Sequence, residues 1–210
     1  MSKRGVFITF EGPEGCGKST QIHQLADYLR SQGRDVIVTR EPGGTPVGQA
    51  IRDILLDKQN TALCDNTELL LFTADRAQHL FEVIKPALKA GKVVLCDRYS
   101  DSTIAYQMGG KGLPEELVMY LTQKFDTSLK PDLTILLDVE VSIGLKRATR
   151  FDADRFELED TEFHQRVRSK YLSIADKEPK RVKIIDTTDH GIDEVQAEIR
   201  KIVGICPGLL

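Results

Sequence analysis

No apolar run in this chain of 210 residues approaches the roughly 20 needed to cross a bilayer, so no membrane-spanning segment is expected. The beginning, Met1-Ser2-Lys3-Arg4, is basic, but the chain then passes directly into a short strand pattern. It carries neither the apolar stretch of a secretory leader nor a cleavage site. Cysteine is sparse: Cys16, Cys64, Cys96 and Cys206 form no CxxC pair, which argues against a disulfide framework or a zinc site and for a reducing, cytoplasmic setting. An excess of positive charge is also missing. Lys and Arg number 29 against 32 for Asp and Glu, a net charge of −3, so no overall field draws the protein to nucleic acid or to an anionic membrane. Neither is expected as a partner, and any phosphate it binds must be held locally. There is no internal repeat and no low-complexity linker. At 40% hydrophobic, the chain can bury one substantial core, and a single domain over residues 1–210 with an insertion at about 148–160 is the economical reading.

What is present is concentrated between Gly12 and Thr20. Gly12, Pro13, Glu14, Gly15, Cys16, Gly17, Lys18, Ser19 and Thr20 spell GPEGCGKST, a complete GxxxxGK[ST] phosphate loop, placed directly after the apolar run Val6 to Phe10. Glycines let the backbone turn tightly and aim successive N–H groups at a phosphate chain, and a helix opening at Lys18 adds its positive end. Lys18 is positioned to reach the β- and γ-phosphates, and the Ser19 hydroxyl to ligate Mg²⁺.

Short apolar runs recur at Val36 to Thr39, Val93 to Cys96, Leu133 to Val139 and Val182 to Ile185, as expected for strands covered on both faces. Amphipathic segments lie between them: Ser19 to Ser31, Val47 to Asp57, Thr67 to Lys89, Pro114 to Phe125 and Ile192 to Val203. This alternation predicts an α/β fold with a parallel sheet flanked by helices, and ligands at the carboxyl ends of the strands. The loop-like stretches are Glu41 to Pro46, Met108 to Leu113 and Arg150 to Asp160.

Two strands end in reactive groups. Arg40-Glu41-Pro42-Gly43-Gly44 follows the second, and Asp97-Arg98 closes the third. An Asp there can act on Mg²⁺, and an Arg beside it can clamp a phosphate with two parallel N–H bonds, although a strand-end salt bridge is the plainer alternative. Within Thr67 to Lys89 the pattern predicts one buried stripe of Leu70, Ala74, Ala77, Phe81, Ile84 and Leu88, with Phe72, Arg76 and His79 on a neighbouring face. A ring and a guanidinium aimed at one place suit a flat nucleobase; Phe72 as plain core is the alternative. Ser102, Thr103 and Tyr106 share a face close to Arg98 if that segment is helical, lining a sugar or base pocket or simply forming a polar surface.

Taken in order and spacing, FEGPEGCGKST, TREPGGT, LLFTADRAQH, CDRYSDSTIAYQ, PDLTILLDV and GLKRATRFDADRFE resemble the thymidylate kinase family over most of the chain. The resemblance implies a P-loop NTPase fold with a five-stranded parallel sheet, a short mobile lid, and a homodimer. It also implies transfer of the γ-phosphoryl of ATP to dTMP, giving dTDP and ADP with Mg²⁺. Carried over, it implies that Arg98 holds the dTMP phosphate, Phe72 stacks on thymine, Arg76 bonds its O4 edge, and Tyr106 faces the deoxyribose. Ser102, Thr103 and Gln107 lie near the base, and Arg40 with a cis Glu41-Pro42 turn borders the phosphate. Glu14 receives the sugar 3′-hydroxyl. Because Gly15-Cys16-Gly17 brings no arginine beside that acid, the resemblance is to the bacterial subtype in which lid arginines stabilise the transferring charge, with Arg150 and Arg155 favoured over Arg147. Asp154 and Glu157 are expected to pair with those arginines when the lid closes, and Asp186-Thr187-Thr188 to rim the adenine. The acceptor phosphate is ionised near neutral pH, so no strong general base is required. Another nucleotide kinase with a different base pocket is the near alternative. A GTP-dependent switch is the distant one: Gln123-Lys124-Phe125-Asp126 only superficially matches a guanine-reading NKxD, and no DxxG follows the third strand.

Overall fold

Strand β1 (Val6–Glu11) is buried along its whole length, and alternate residues serve opposite faces of the sheet. Val6, Ile8 and Phe10 join one apolar cluster and Phe7 another, while the Thr9 hydroxyl is satisfied by Thr134 at 2.7 Å. The computed structural model describes residues 4–126, 129–148 and 154–206. Among them β1 pairs in parallel with β3 (Val93–Asp97) and β4 (Leu133–Asp138), β2 (Val36–Arg40) with β3, and β5 (Val182–Asp186) with β4. The order is β2-β3-β1-β4-β5, the five-stranded parallel sheet expected from the alternation.

The chain leaves β1 toward β2 on one side, whereas it leaves β3 toward β4 on the other. Their connections therefore diverge, and a crevice opens at the carboxyl ends of β1 and β3. The register puts Phe10 opposite Asp97, so the phosphate loop and the Asp97-Arg98 ending meet at that crevice.

On one face, α1 (Lys18–Ser31) and α9 (Ile192–Gly204) cover the sheet through Ile22, Leu25, Leu29, Val195, Ile199 and Val203. On the other lie α3 (Asp65–His79), a π-helical stretch Leu80–Ile84 and α4 (Lys85–Lys89), with Leu80, Ile84 and Leu88 packed on Phe7 and Val94. Helix α2 (Pro46–Leu56) starts on Pro46 with Thr45 as its cap, the Thr45 hydroxyl accepting from Gly48 N at 2.9 Å. After β3, α5 (Ser100–Thr103) runs into a second π-helical stretch, Ile104–Gly110, followed by α6 (Glu115–Asp126).

Two expectations are corrected. The stripe through Thr67 to Lys89 is not one buried face: Leu70 and Phe81 are 55% and 78% exposed and Ala74 is exposed, while Ile84 and Leu88 are buried. The inward side of α3 carries Glu68, Thr73, Asp75, Arg76 and His79 instead, so polar groups that build the crevice displace the apolar face outward. Two helices also escaped the periodicity reading. They are α7 (Val141–Ala148) and α8 (Thr161–Lys177); α8 is capped by Asp160, which accepts from Phe163 N at 2.6 Å, and buries Phe163, Val167, Tyr171 and Ile174.

Candidate active site

The crevice widens into a cavity of about 560 Å³ whose walls run from the phosphate loop to α3 and the 104–110 stretch. Gly15 and Gly17 take positive φ, 69° and 91°, which lets the loop backbone turn inward before α1 begins. Gly15 also packs so closely on Gly144 of α7 that a Cβ would meet the Gly144 carbonyl at 2.0 Å. The helix leading to the 149–153 region is therefore seated directly on the loop. Within the loop, Lys18 is buried and its ammonium donates to the carbonyls of Gly12 at 3.1 Å and Pro13 at 3.0 Å. Cys16 is buried beside it, and burial pushes its thiol up.

Opposite the loop stands Arg98, a non-glycine residue at φ 67°, a strained conformation that over-determined surroundings must hold. They do so at both ends of its guanidinium. Nη2 donates to Glu14 Oε1 at 2.7 Å, while Nη1 donates to Gly12 O at 3.1 Å, Tyr171 OH at 3.1 Å and Ser102 Oγ at 3.3 Å. The Tyr106 ring lies 4.9 Å beneath it. Burial raises the Glu14 carboxyl, but Arg98 and Lys18 outweigh it and hold the group down at about 2. Burial lowers the Arg98 guanidinium, yet Glu14 and the two phenols leave it raised well above its ordinary value. The Tyr106 hydroxyl donates to the same Glu14 oxygen at 2.6 Å.

Behind Arg98, Glu11 is wholly buried and accepts from Tyr99 N at 2.8 Å, Ser102 Oγ at 2.5 Å and Tyr171 OH at 3.1 Å. Burial, reinforced by Asp101, pushes its carboxyl up to about 7. Because Glu11 grips the residues that flank Arg98, it buttresses the strained turn.

At the far end, Arg76 is 3% exposed and reaches the cavity from α3. Its Nε donates to Glu41 Oε2 at 2.8 Å and its Nη2 to Thr103 Oγ1 at 2.8 Å. Glu41, in a cis Glu41-Pro42 turn, is held from the other side by His79 Nδ1 at 2.9 Å, and His79 Nε2 meets Thr39 Oγ1 at 2.6 Å. His79 thus sits one turn beyond Arg76 and two beyond Phe72, and supports the site without lining the cavity. Phe72 lines the cavity half-buried, its ring 5.9 Å from that of Phe156.

The structure therefore gathers most of the anticipated residues on one cavity: Glu14, Gly15, Gly17, Lys18, Ser19 and Thr20 from the loop end, then Arg40, Asp97 and Arg98, then Phe72, Arg76, Ser102, Thr103, Tyr106 and Gln107. Ser19 Oγ donates to Asp97 Oδ2 at 3.2 Å, a hydroxyl and a carboxylate side by side. That all-oxygen pair fits Mg²⁺, which keeps much of its shell for water and phosphate. Among the described residues no cluster of three or more His, Cys, Asp or Glu competes as a metal centre.

Of the lid arginines, Arg147 and Arg155 fall within the described residues, and only Arg147 reaches the cavity. Arg150 lies outside the described residues. Arg155 does not line the cavity; its Nη2 is committed to Glu68 and its Nε to Leu55 O at 2.9 Å, because a fully buried Glu68 carboxylate requires a cation. Arg147 lies at the cavity edge and donates to Thr187 O at 3.1 Å and Thr188 O at 2.8 Å, on the rim anticipated for adenine. Asp154 and Glu157 bond within their own turn, Asp154 N to Glu157 Oε2 at 3.1 Å and Glu157 N to Asp154 Oδ1 at 3.0 Å; among the described residues neither forms a salt bridge with Arg147 or Arg155. Residues missed from the sequence include Arg52, which lines the cavity and donates to Pro42 O at 3.1 Å, and Phe156, Glu11 and Tyr171. Tyr171 had a usable signal: Phe163, Val167, Tyr171 and Ile174 are spaced four, four and three.

A phosphate loop facing a second pocket of arginines and aromatics defines a P-loop kinase that joins a nucleoside triphosphate to a second, phosphate-bearing acceptor. Comparison with known proteins specifies it. Residues 10–199 match the family model described as thymidylate kinase. A thymidylate kinase of Geotalea uraniireducens is 53% identical over 95% of this chain and 96% of its own, and one of Pseudomonas syringae pv. tomato is 50% identical over 95% of each. The crystal structure of thymidylate kinase from Ehrlichia chaffeensis superposes with a TM-score of 0.79 at 36% identity, over 96% of this chain and all of that one. The chain belongs to the thymidylate kinase family. Its activity is the phosphorylation of dTMP to dTDP, with ATP as donor and Mg²⁺ as the metal.

Proposed function

We propose that the cavity divides the two nucleotides at Arg98: ATP phosphates on the loop, dTMP between Arg98 and the Phe72-Arg76 end. The observation that carries this division is the Glu14-Arg98 pair, at 2.7 Å, which sets a cation between the loop and the base-sized pocket. Lys18 and Arg98 flank the transferring phosphoryl, Ser19 and Asp97 hold Mg²⁺, and Arg150 supplies the remaining positive charge from a lid at about 148–160. When bound, Mg²⁺ neutralises phosphate charge. Phe72 stacks on thymine, Arg76 donates to its O4 edge, and Tyr106 with Glu14 faces the sugar, Glu14 accepting the 3′-hydroxyl. Ser102, Thr103 and Gln107 complete the base pocket, and Arg40 borders the acceptor phosphate. An unpartnered 2′-hydroxyl buried against Tyr106 costs about 1–3 kcal/mol, enough for a preference of roughly five- to 150-fold for deoxyribose.

No general base is assigned. A dTMP phosphate oxygen is already ionised, so the chain's task is to align two anions and exclude water while positive groups neutralise the moving charge. A coupled assay of ADP formation with dTMP, dUMP, dCMP, dGMP and UMP tests the pocket. Highest kcat/KM on dTMP is expected, and equal use of all five removes the thymine assignment.

The reading extends to assembly and location. Leu70 and Ala74 on α3 and Phe81 in the π-helical stretch after it form an exposed apolar stripe, which suits pairing with a second copy as a homodimer. Sedimentation is expected to give a dimer and Phe81→Glu a monomer; a monomeric parent chain contradicts this. No helix among the described residues is long and apolar enough to cross a membrane, and with a balanced charge and unpaired cysteines we place the enzyme in the cytoplasm.

A further inference from the structure

Glu68 has no part in the roles assigned so far, yet it is wholly buried, 0% exposed, in the first turn of α3. Both of its oxygens are spoken for by residues that belong to different parts of the site. Oε1 accepts from the Gln107 amide at 3.0 Å, and Gln107, 1% exposed, lines the cavity from the 104–110 stretch. Oε2 accepts from Arg155, the residue before Phe156. Arg155 is pinned again by Leu55 O at the end of α2, and its guanidinium lies 4.6 Å over the Phe156 ring. Phe156 in turn closes the cavity wall, 5.9 Å from the rings of Phe72 and Tyr106.

A carboxylate removed from water must keep its cation or suffer a large desolvation penalty, so Arg155 is tied to Glu68 more tightly than a surface arginine would be. Phe156 follows Arg155 in sequence and is fixed with it. The same carboxylate also orients the Gln107 amide. One buried group therefore sets both the amide edge of the pocket and the aromatic wall that the 154–160 segment presents to it.

We propose that Glu68 is a positioning residue for the acceptor pocket, latching the 154–160 segment through Arg155 while aligning Gln107. This rests on the reading of the cavity end at Phe72 as the dTMP base pocket. It also gives Arg155 a different task from charge stabilisation at the moving phosphoryl: Arg155 anchors Phe156, and the cation for transfer comes from elsewhere.

The test is steady-state kinetics of Glu68→Gln, Arg155→Gln, the double variant and Phe72→Ala, each with a melting temperature. Glu68→Gln keeps the shape and an acceptor for Gln107 but removes the charge that retains Arg155. The expected result is a rise of about tenfold or more in KM for dTMP in each single variant, with KM for ATP within about twofold. In the double variant the rise is expected to be no larger than in either single, since residues of one contact are not additive. Arg155→Lys, which keeps the charge, is expected to recover most of the loss and serves if Glu68→Gln does not fold. A purely structural pair would lower the melting temperature and leave KM for dTMP unchanged, which overturns the proposal. A fall of a thousandfold in kcat for Arg155→Gln that Glu68→Gln does not reproduce also overturns it, because it returns Arg155 to the phosphoryl. Phe72→Ala separates the two levels: if it leaves KM for dTMP unchanged the base pocket itself is misplaced, whereas a raised KM there with no effect of Glu68→Gln refutes the latch alone.

Discussion

Replacing Arg98 by Ala removes the group at which we propose that the two nucleotides meet, and its effects on rate and on stability can be worked out separately. On that proposal two charge-assisted bonds to phosphate oxygens are lost, each worth about 1.5–3 kcal/mol. At about 1.4 kcal/mol per factor of ten, kcat/KM for dTMP falls by about 10² to 10⁴. Stability is affected through Glu14, which is left with the Tyr106 hydroxyl as its near partner after losing a guanidinium at 2.7 Å. Breaking a buried pair costs about 3–5 kcal/mol, and because the Glu14 side chain is 18% exposed the lower figure applies. For a chain of this size that lowers Tm by roughly 6–12 °C. The assay is ADP release under saturating MgATP with varied dTMP, beside a thermal melt of each variant. Adding Glu14→Gln to Arg98→Ala neutralises the stranded charge, so Tm recovers in part while activity does not. A folded Arg98→Ala enzyme with kcat/KM within tenfold of the parent would refute the reasoning.

Glu11 gives a pH signature. Its carboxyl, pushed from 4.5 up to about 7 by burial and Asp101, holds a proton in the folded chain that the unfolded chain releases above 4.5. The folded state then binds more protons across that window, so this group's contribution to stability is full below 4.5 and is lost as pH rises through 7. Glu11→Gln is expected to flatten the decline in denaturation midpoint between about pH 5 and 8, and an unchanged slope speaks against a raised Glu11. The Gly15-Gly144 contact yields another expectation. A Cβ at Gly144 would stand 2.5 Å from Glu14 O and 2.9 Å from Val139, so Gly144→Ala must shift the phosphate loop. Overpacking of about 1–3 kcal/mol corresponds to a rise of roughly five- to 150-fold in KM for ATP, and an unaltered KM contradicts that seating.

The catalytic end was legible because its chemistry is local in sequence. Gly12 to Thr20 is one continuous motif, and Asp97-Arg98 ends a strand whose parallel pairing brings it beside that motif without further information. The stripe through Thr67 to Lys89 was misread for a physical reason: apolarity at Leu70, Ala74 and Phe81 is the same whether a helix faces its own core or another surface, and only the fold reveals which. Helix α8 was hidden by its charge, since the residues between Phe163, Val167 and Tyr171 are mostly polar. The partner of Arg155 was beyond reach altogether. Glu68 lies 87 residues away, reads as an ordinary first-turn acid on α3, and becomes conspicuous only once its burial is seen.

The most direct measurement is a crystal structure of the protein with dTMP and a non-hydrolysable ATP analogue bound together with Mg²⁺. The account predicts the triphosphate inside the turn at Lys18, the acceptor phosphate on Arg98, and thymine stacked on Phe72 with its O4 toward Arg76. Triphosphate density outside that turn, or a pyrimidine lodged away from Phe72, would contradict it.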